Sequence, residues 1–239
     1  MRVYTRHLFS NGLPPFLEPL IFLAGIGLGL GRYVEPINGQ DYIVYLSIGL
    51  LVTSSMWTSS FECTFGTFIR MEFEKVYDGM LASPITAGNL IVGELLWAAS
   101  KGFFFSLAVL LMVSLFGKVP LPQSLAAPFV GFANAFMFGA MGLLVTSFVK
   151  TINHFNFYMT GLISPMFFFS GVVFPVDSLP AGIRFVAEIV PLTHSVRIMR
   201  YIAASRWDEV LVWDAAYLVI FTLIVGYFAA RRLTKRLIS

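Results

Sequence analysis

Glu94 and Lys101 stand seven positions apart inside one long apolar run of this chain. Two helical turns bring them to one face. At 1.5 Å per residue they lie about 10 Å apart along the axis, too far for direct contact. A charge inside an apolar run is expensive and is a functional candidate by default. Glu94 reads as an interfacial residue near the inner surface, hydrated by headgroups or set beside a polar loop. Lys101 sits deeper, and three readings fit it. Its stem snorkels, it pairs with an acid on another helix, or it meets an anionic group of a substrate. Glu18, near the start of an earlier run, suits a helix N-terminus.

Other chemistries are poorly served. The only Gly-Lys pair, Gly117-Lys118, is followed by Val119, so no G-x-x-x-x-G-K-[ST] loop exists to cradle ATP phosphates. Cys63 is the only cysteine, which excludes an internal disulfide and a cysteine-based metal cluster. His7 lies at the N-terminus, His154 in an inner loop and His194 in an outer segment. They do not meet on one site, so no metal centre is expected. A membrane-embedded enzyme acting on lipids should gather acids or histidines at one membrane face. The only such cluster, the acids between 188 and 214, alternates with arginines as a solvated surface would.

The elements that position these residues are membrane helices. Hydrophobic residues make up 57% of the chain and charged residues 12%, with mean hydropathy +0.80. A soluble domain carries about a quarter charged residues to cover its surface, so lipid is the main solvent here. At about 20 residues per span, six helices fill the chain, at 13–30, 42–61, 90–116, 124–149, 155–174 and 210–230. The fold expected is an all-α membrane protein with one transmembrane domain over 1–239. The first run ends in Gly27, Gly29 and Gly31 with no small-residue cleavage site, so a cleaved signal peptide is not expected. Lysine and arginine resist translocation. The tail RRLTKR after the last run therefore places the C-terminus inside, and an even number of spans places the N-terminus there too. Gly25/Gly29 and Gly27/Gly31 form overlapping G-x-x-x-G patterns, read as close helix packing or as a seam with a second copy.

Two connecting segments stand out. Residues 70–84 read RMEFEKVYDGMLASP, the most charged stretch between spans. Met71, Val76 and Met80 fall near one face at helical spacing, with Glu72, Glu74, Lys75 and Asp78 largely elsewhere. This predicts an amphipathic helix over 70–82, lying flat at the inner surface. It either anchors the loop or docks on a partner. Beyond the fifth run, Gly171 and Pro175 stop the apolar helix. Two short helices are predicted at 179–190 and 192–203. Pro180 falls in the first turn of one, and Pro191 separates the pair. Both are too short to cross a core of about 30 Å. They are expected to dip into the outer leaflet and return, with Arg184, Arg197 and Arg200 placed to meet headgroups or an anionic cargo.

Several short pieces carry a resemblance. They are Glu18-Pro19-Leu20 with the glycine ladder 25–31, Arg70-Met71-Glu72 with Tyr77 and Met80-Leu81, and Gly93-Glu94 with Trp97-Ala98-Ala99 and Lys101. The last are Phe169-Ser170-Gly171, Phe174-Pro175, Leu179-Pro180 and Pro191-Leu192-Thr193-His194. In this order and spacing the chain resembles the permeases of ABC-2 type exporters, most of all those of nodulation-factor (lipo-chitooligosaccharide) exporters. The resemblance implies a bacterial inner-membrane subunit that moves a lipid-linked or amphipathic cargo, with a hydrophobic drug as the alternative. It implies two permeases and two ABC ATPase subunits, which supply ATP and Mg, and no nucleic-acid partner. Residues 70–82 become the ATPase-coupling helix, with Arg70, Glu74, Lys75, Tyr77 and Asp78 as contacts. Gly171, Pro175, Pro180, Arg184, Pro191, His194, Arg197 and Arg200 become an outer re-entrant gate. The family's longer amphipathic gate helix before the first span is represented by residues 1–12, with Arg2, Arg6 and His7 as its remnant. A gating role for Tyr4, Leu8 and Phe9 stays open.

Overall fold

The computed structural model describes residues 19–31, 33–37, 39–115, 117 and 119–238. The expected start of the first span with Glu18, the gate candidates within 1–12, Arg32, Phe116 and Lys118 lie outside the described residues. In chain order the helices are α1 (19–30), α2 (Tyr42–Phe73), α3 (Val76–Leu81), α4 (Ala87–Leu115) and α5 (Ala127–Phe148). They continue with α6 (155–169), α7 (Ala181–Ile189), α8 (Pro191–Ala203) and α9 (Glu209–Ile238). Among the described residues, four apolar helices are long enough to cross a membrane: α2, α4, α5 with the turn before it, and α9.

Most expected runs are present with shifted ends. The run expected at 42–61 continues to Phe73 through two π-helical turns, Glu62–Gly66 and Ile69–Phe73. The helix predicted over 70–82 is divided. Arg70 to Phe73 complete α2, and Lys75 adopts the left-handed conformation (φ 53, ψ 27) that a helix cannot propagate. Only Val76–Leu81 forms a separate helix. The run at 155–174 is helical to 169. It ends at Gly171, whose φ of 79 favours glycine, and where a Cβ would sit 3.0 Å from Val176 Cγ2. Pro180 stands just before α7 with an extended ψ of 145, rather than in its first turn. Pro191 opens α8, where a missing N–H costs nothing.

Lipid tails are as apolar as leucine, so burial of hydrocarbon does not by itself drive membrane helices together. Close approach and buried hydrogen bonds do so here. Helices α2, α4 and α5 meet at small residues: Gly102 faces Ala135 and Ser55, Gly131 faces Ser106, and Gly142 faces Cys63. Ser106 donates to the Leu51 carbonyl at 2.8 Å, and Thr146 to that of Cys63 at 2.8 Å. Asn134 reaches the Val52 carbonyl at 3.2 Å and Ser55 Oγ at 3.0 Å. Of the glycine ladder, Gly27 lies on Ile43 and Leu46 of α2, while Gly25 and Gly29 face open space. Helix α9 packs on α5 and α8 and turns Val212, Trp213, Leu223 and Phe228 outward.

Polar contacts gather at the two ends of the bundle. Arg236 of α9 donates to the Val149 carbonyl at 2.6 Å and pairs with Glu72 at 2.7 Å, also reaching the Thr146 carbonyl. The C-terminal ends of α2, α5 and α9 therefore share one basic end. Tyr42, Gly171, α8 and the start of α9 form the opposite end. The glycine contacts yield a test. Gly131→Val should destabilise the protein by about 1–3 kcal/mol through overpacking against Ser106. Gly25→Val, with open space at its Cβ, should leave thermal unfolding in detergent unchanged.

Candidate functional site

At the basic end, four charges close into one chain. Glu62 lies in the first π-helical turn of α2 and Arg70 in the second. Glu94 and Lys101 lie on α4. Arg70 pairs with Glu62 at 2.8 Å and with Glu94 at 2.5 Å. Glu62 then pairs with Lys101 at 2.5 Å. The two α4 residues, too far apart to touch, are thus joined through α2. Lys101 takes the second of its three readings, a partner on another helix. Glu94 is turned into the protein, where Thr67 also donates to it at 3.1 Å. Trp97 donates its indole N–H to Glu62 at 3.1 Å, and Lys101 lies 5.1 Å from its ring centroid. Two acids and two bases make the group neutral, as a low-dielectric site requires.

The expected coupling residues divide into two sets. Tyr77 is fully buried, and Arg70 Nε donates to its hydroxyl at 3.4 Å. Burial raises the Tyr77 phenol above its ordinary pKa, and the nearby Glu94 carboxylate pushes the same way. Arg70 and Tyr77 therefore face the interior. Glu74, Lys75 and Asp78 are exposed beside Phe73 and Met80, which also face outward. Sequence reasoning misses Glu62 because the apolar run reads as ending at Phe61. Its signal is the eight-residue spacing to Arg70 across a stretch that stays mostly apolar.

At the opposite end, α8 is held by polar contacts on three sides. Arg200 lies over the Tyr45 ring at 3.4 Å and donates to the carbonyls of Tyr45 at 2.9 Å and Gly171 at 2.6 Å. Tyr45 donates its hydroxyl to the same Gly171 carbonyl at 2.8 Å, and Tyr42 to that of Val173 at 3.0 Å. His194 Nδ1 lies 2.6 Å from Asp214 Oδ1, and its Nε2 lies 2.9 Å from the Glu188 carbonyl. A carbonyl only accepts, so Nε2 carries a hydrogen. The ring stacks on Tyr217 at 4.0 Å between centroids. Arg197 pairs with Glu188 and approaches Asp214 at 3.5 Å. Arg184 pairs with Asp177 at 2.6 Å on the surface.

Of the acids between 188 and 214, Asp208 and Glu209 are exposed and Glu188 is half-buried, as a solvated face would have them, but Asp214 is not. Asp214 is only 2% exposed, because α8 crosses α9 over it. Both nitrogens of His194 are engaged, so the ring has no free nitrogen to take a proton from a nucleophile, as a hydrolytic triad requires. Pro175 and Pro180 shape the turn between α6 and α7, and Pro191 is buried at the head of α8.

The model of the ABC-2 type transporter family matches residues 1–203. Nodulation protein J of Sinorhizobium fredii is 32% identical over 222 residues, covering 93% of this chain and 85% of that protein. Nodulation protein J of Rhizobium meliloti is 36% identical over 183 residues, covering 77% and 70%. The inner membrane transport permease YadH of Escherichia coli is 21% identical over 228 residues, covering 95% and 86%. No solved structure matches the chain.

Removing one member of a buried ion cluster leaves its partners uncompensated. Glu62→Gln and Lys101→Met should each lower stability by about 3 kcal/mol. The double variant should lose less than the sum, by about 1 kcal/mol or more, if the two act as one unit. Denaturant unfolding of the four proteins in mixed micelles measures this cycle.

Proposed function

Because the chain belongs to the ABC-2 type transporter family, we propose that it is the membrane-spanning permease subunit of an ATP-driven exporter. Its cargo is a lipid-linked or amphipathic molecule, with a lipo-oligosaccharide or polysaccharide the best fit. The observation that carries the reading is the family match over 1–203 on a chain with four long apolar helices among its described residues and no phosphate-binding loop in its sequence. Work must then come from elsewhere, from two copies of an ABC ATPase that bind ATP and Mg. The relatives named for nodulation, together with the short sequence pieces shared with nodulation-factor exporter permeases, favour a lipo-oligosaccharide over a hydrophobic drug.

In this reading the chain spans the bacterial inner membrane six times, with α1 and α6 as the shorter spans and both termini in the cytoplasm. A second permease copy completes the pathway. The basic end faces the cytoplasm, as lysine and arginine distribution favours. Glu74, Lys75 and Asp78, with Phe73 and Met80, offer the docking surface for the ATPase. Arg70 and Tyr77 stiffen it from behind through the ion chain to α4. At the other end α7 and α8 dip into the outer leaflet and close the pathway. Irregular backbone at that depth is tolerated only against protein or a water-filled cavity, and α8 packs against α2 and α9.

Two experiments test this. A cysteine placed at Asp177 or Glu209 should react with an impermeant maleimide applied from outside, and one at Glu74 should not. Cys63 is fully buried and gives little background. The reverse pattern overturns the orientation. Glu74→Ala with Lys75→Ala should leave membrane insertion intact. In reconstituted vesicles it should cut cargo transport about tenfold relative to ATP hydrolysis, the loss of a few charged contacts. Unchanged transport would remove these residues from the docking surface.

A further inference from the structure

A cavity of about 390 Å³ opens at the end opposite the basic one. Its walls come from α7, α8 with the loop after it, the turn after α6 and the start of α2. Four arginines line it against two acids. Arg184 is matched by Asp177 at 2.6 Å, and Arg197 by Glu188. Arg200 and Arg206 have no carboxylate partner among the described residues, so the wall carries positive charge in excess. Asp214 does not line the cavity and is turned to His194 and Arg197 between α8 and α9.

Arg200 is the more telling of the two. Its guanidinium lies over the Tyr45 ring at 3.4 Å and donates to the carbonyls of Tyr45 at 2.9 Å and Gly171 at 2.6 Å. A longer contact reaches the Val172 carbonyl at 3.4 Å. These dipoles soften the charge without cancelling it. A guanidinium has five N–H donors, so some remain for a ligand. Burial draws the Arg200 pKa down to about 10, which leaves it a cation at neutral pH. A buried charge lacking a counter-ion is costly. An anion in the cavity supplies that counter-ion.

The surroundings select the anion. On α7, Arg184 and Glu188 stand one turn apart and line the cavity. Ile183, Phe185, Val186 and Ile189 on its other side are apolar and exposed. A helix of this kind lies in the membrane interface with its apolar side among acyl chains. The cavity beside it then sits at headgroup depth, where phosphodiesters are crowded. Basic pockets at that depth attract anionic headgroups. A zwitterionic headgroup brings a cation of its own, which the excess of arginine repels.

We propose that this cavity binds the phosphodiester headgroup of an anionic phospholipid, with Arg200 and Arg206 as its cationic contacts. The inference rests on the exporter reading only for placing the lipid in the outer leaflet.

The test uses the full-chain permease with its ATPase in a non-ionic detergent. The complex is titrated with phosphatidylglycerol and with phosphatidylcholine of the same acyl chains, and bound lipid is followed by native mass spectrometry. The wild type should hold phosphatidylglycerol about tenfold more tightly than phosphatidylcholine. Arg206→Gln, at an exposed position, should weaken phosphatidylglycerol binding about fivefold, one arginine's share. Arg200→Gln should weaken it further. Because Arg200 also anchors α8, a third variant is chosen for a gain that misfolding cannot imitate. Asp177→Asn releases Arg184 and should tighten phosphatidylglycerol binding about threefold to fivefold. Equal affinity for the two lipids, or a preference indifferent to these variants, overturns the proposal. Displacement of phosphatidylglycerol by inorganic phosphate at matched concentration makes the site one for a free anion and overturns the lipid. ATP-driven uptake of a lipid-linked oligosaccharide into inverted vesicles is read separately. Transport without lipid preference overturns the lipid site alone. Lipid preference without transport overturns the exporter reading alone.

Discussion

Helix α2 can be the buried centre of this bundle because most of its hydroxyls bond to its own backbone. It is rich in serine and threonine, and a hydroxyl in an apolar interior costs free energy unless it is bonded. Ser47, Thr58, Ser59 and Thr64 donate to carbonyls four residues back, at 2.6–2.8 Å. Ser54 and Ser55 donate three residues back, at 3.1 and 2.6 Å. These local bonds make a polar sequence effectively apolar toward its neighbours. The side chains are also small, so that α4 approaches at Gly102 beside Ser55 and α5 at Gly142 beside Cys63. The hydroxyls and the glycines are two halves of one solution to packing in lipid.

Both polar ends of the molecule hang on this helix. Tyr42 and Tyr45 at its start hold the turn after α6 and, through Arg200, the helix α8. Glu62 and Arg70 near its finish hold α4 through Glu94 and Lys101. The two assemblies treat charge differently. At the basic end two acids meet two bases. At the other, His194 and Arg197 surround Asp214. In a medium that solvates ions poorly, a charge left open is a larger penalty than a closed pair is a gain. Arg200, beside them, is held by the carbonyls of Tyr45 and Gly171 and by the Tyr45 ring rather than by an acid. The exposed charges of Glu74, Lys75 and Asp78 lie where water solvates them, in the connection to α3 and within it.

The π-helical turns of α2 are where the helix departs from regularity, and they coincide with the ion chain. Glu62–Gly66 and Ile69–Phe73 contain the two residues that bridge to α4. The extra residue in a π turn rotates the next stretch of helix about its axis, and such turns are frequent at functional positions. At 3.6 residues per turn Glu62 and Arg70, eight apart, fall about 80° apart around the axis and share one broad face.

Composition and apolar run length alone determined that this chain is a helical membrane protein. The reason is that lipid demands long apolar helices with their backbone bonded internally. Proline and glycine punctuation marked α7 and α8 within two residues of their ends, because Pro191 and Gly171 constrain the backbone locally. The exposed loop chemistry at Glu74, Lys75 and Asp78 was legible for the same reason: it depends on neighbours in sequence. The ion chain was not. Glu94 and Lys101 were visible as charges in an apolar run, but their link through Glu62 lies on a different helix, and nothing local announces which helix faces which. Asp214 looks like one surface acid among several until α8 crosses over it. Which charges are paired, which arginines are held and where a cavity remains are properties of helix packing, and only the tertiary structure decides them.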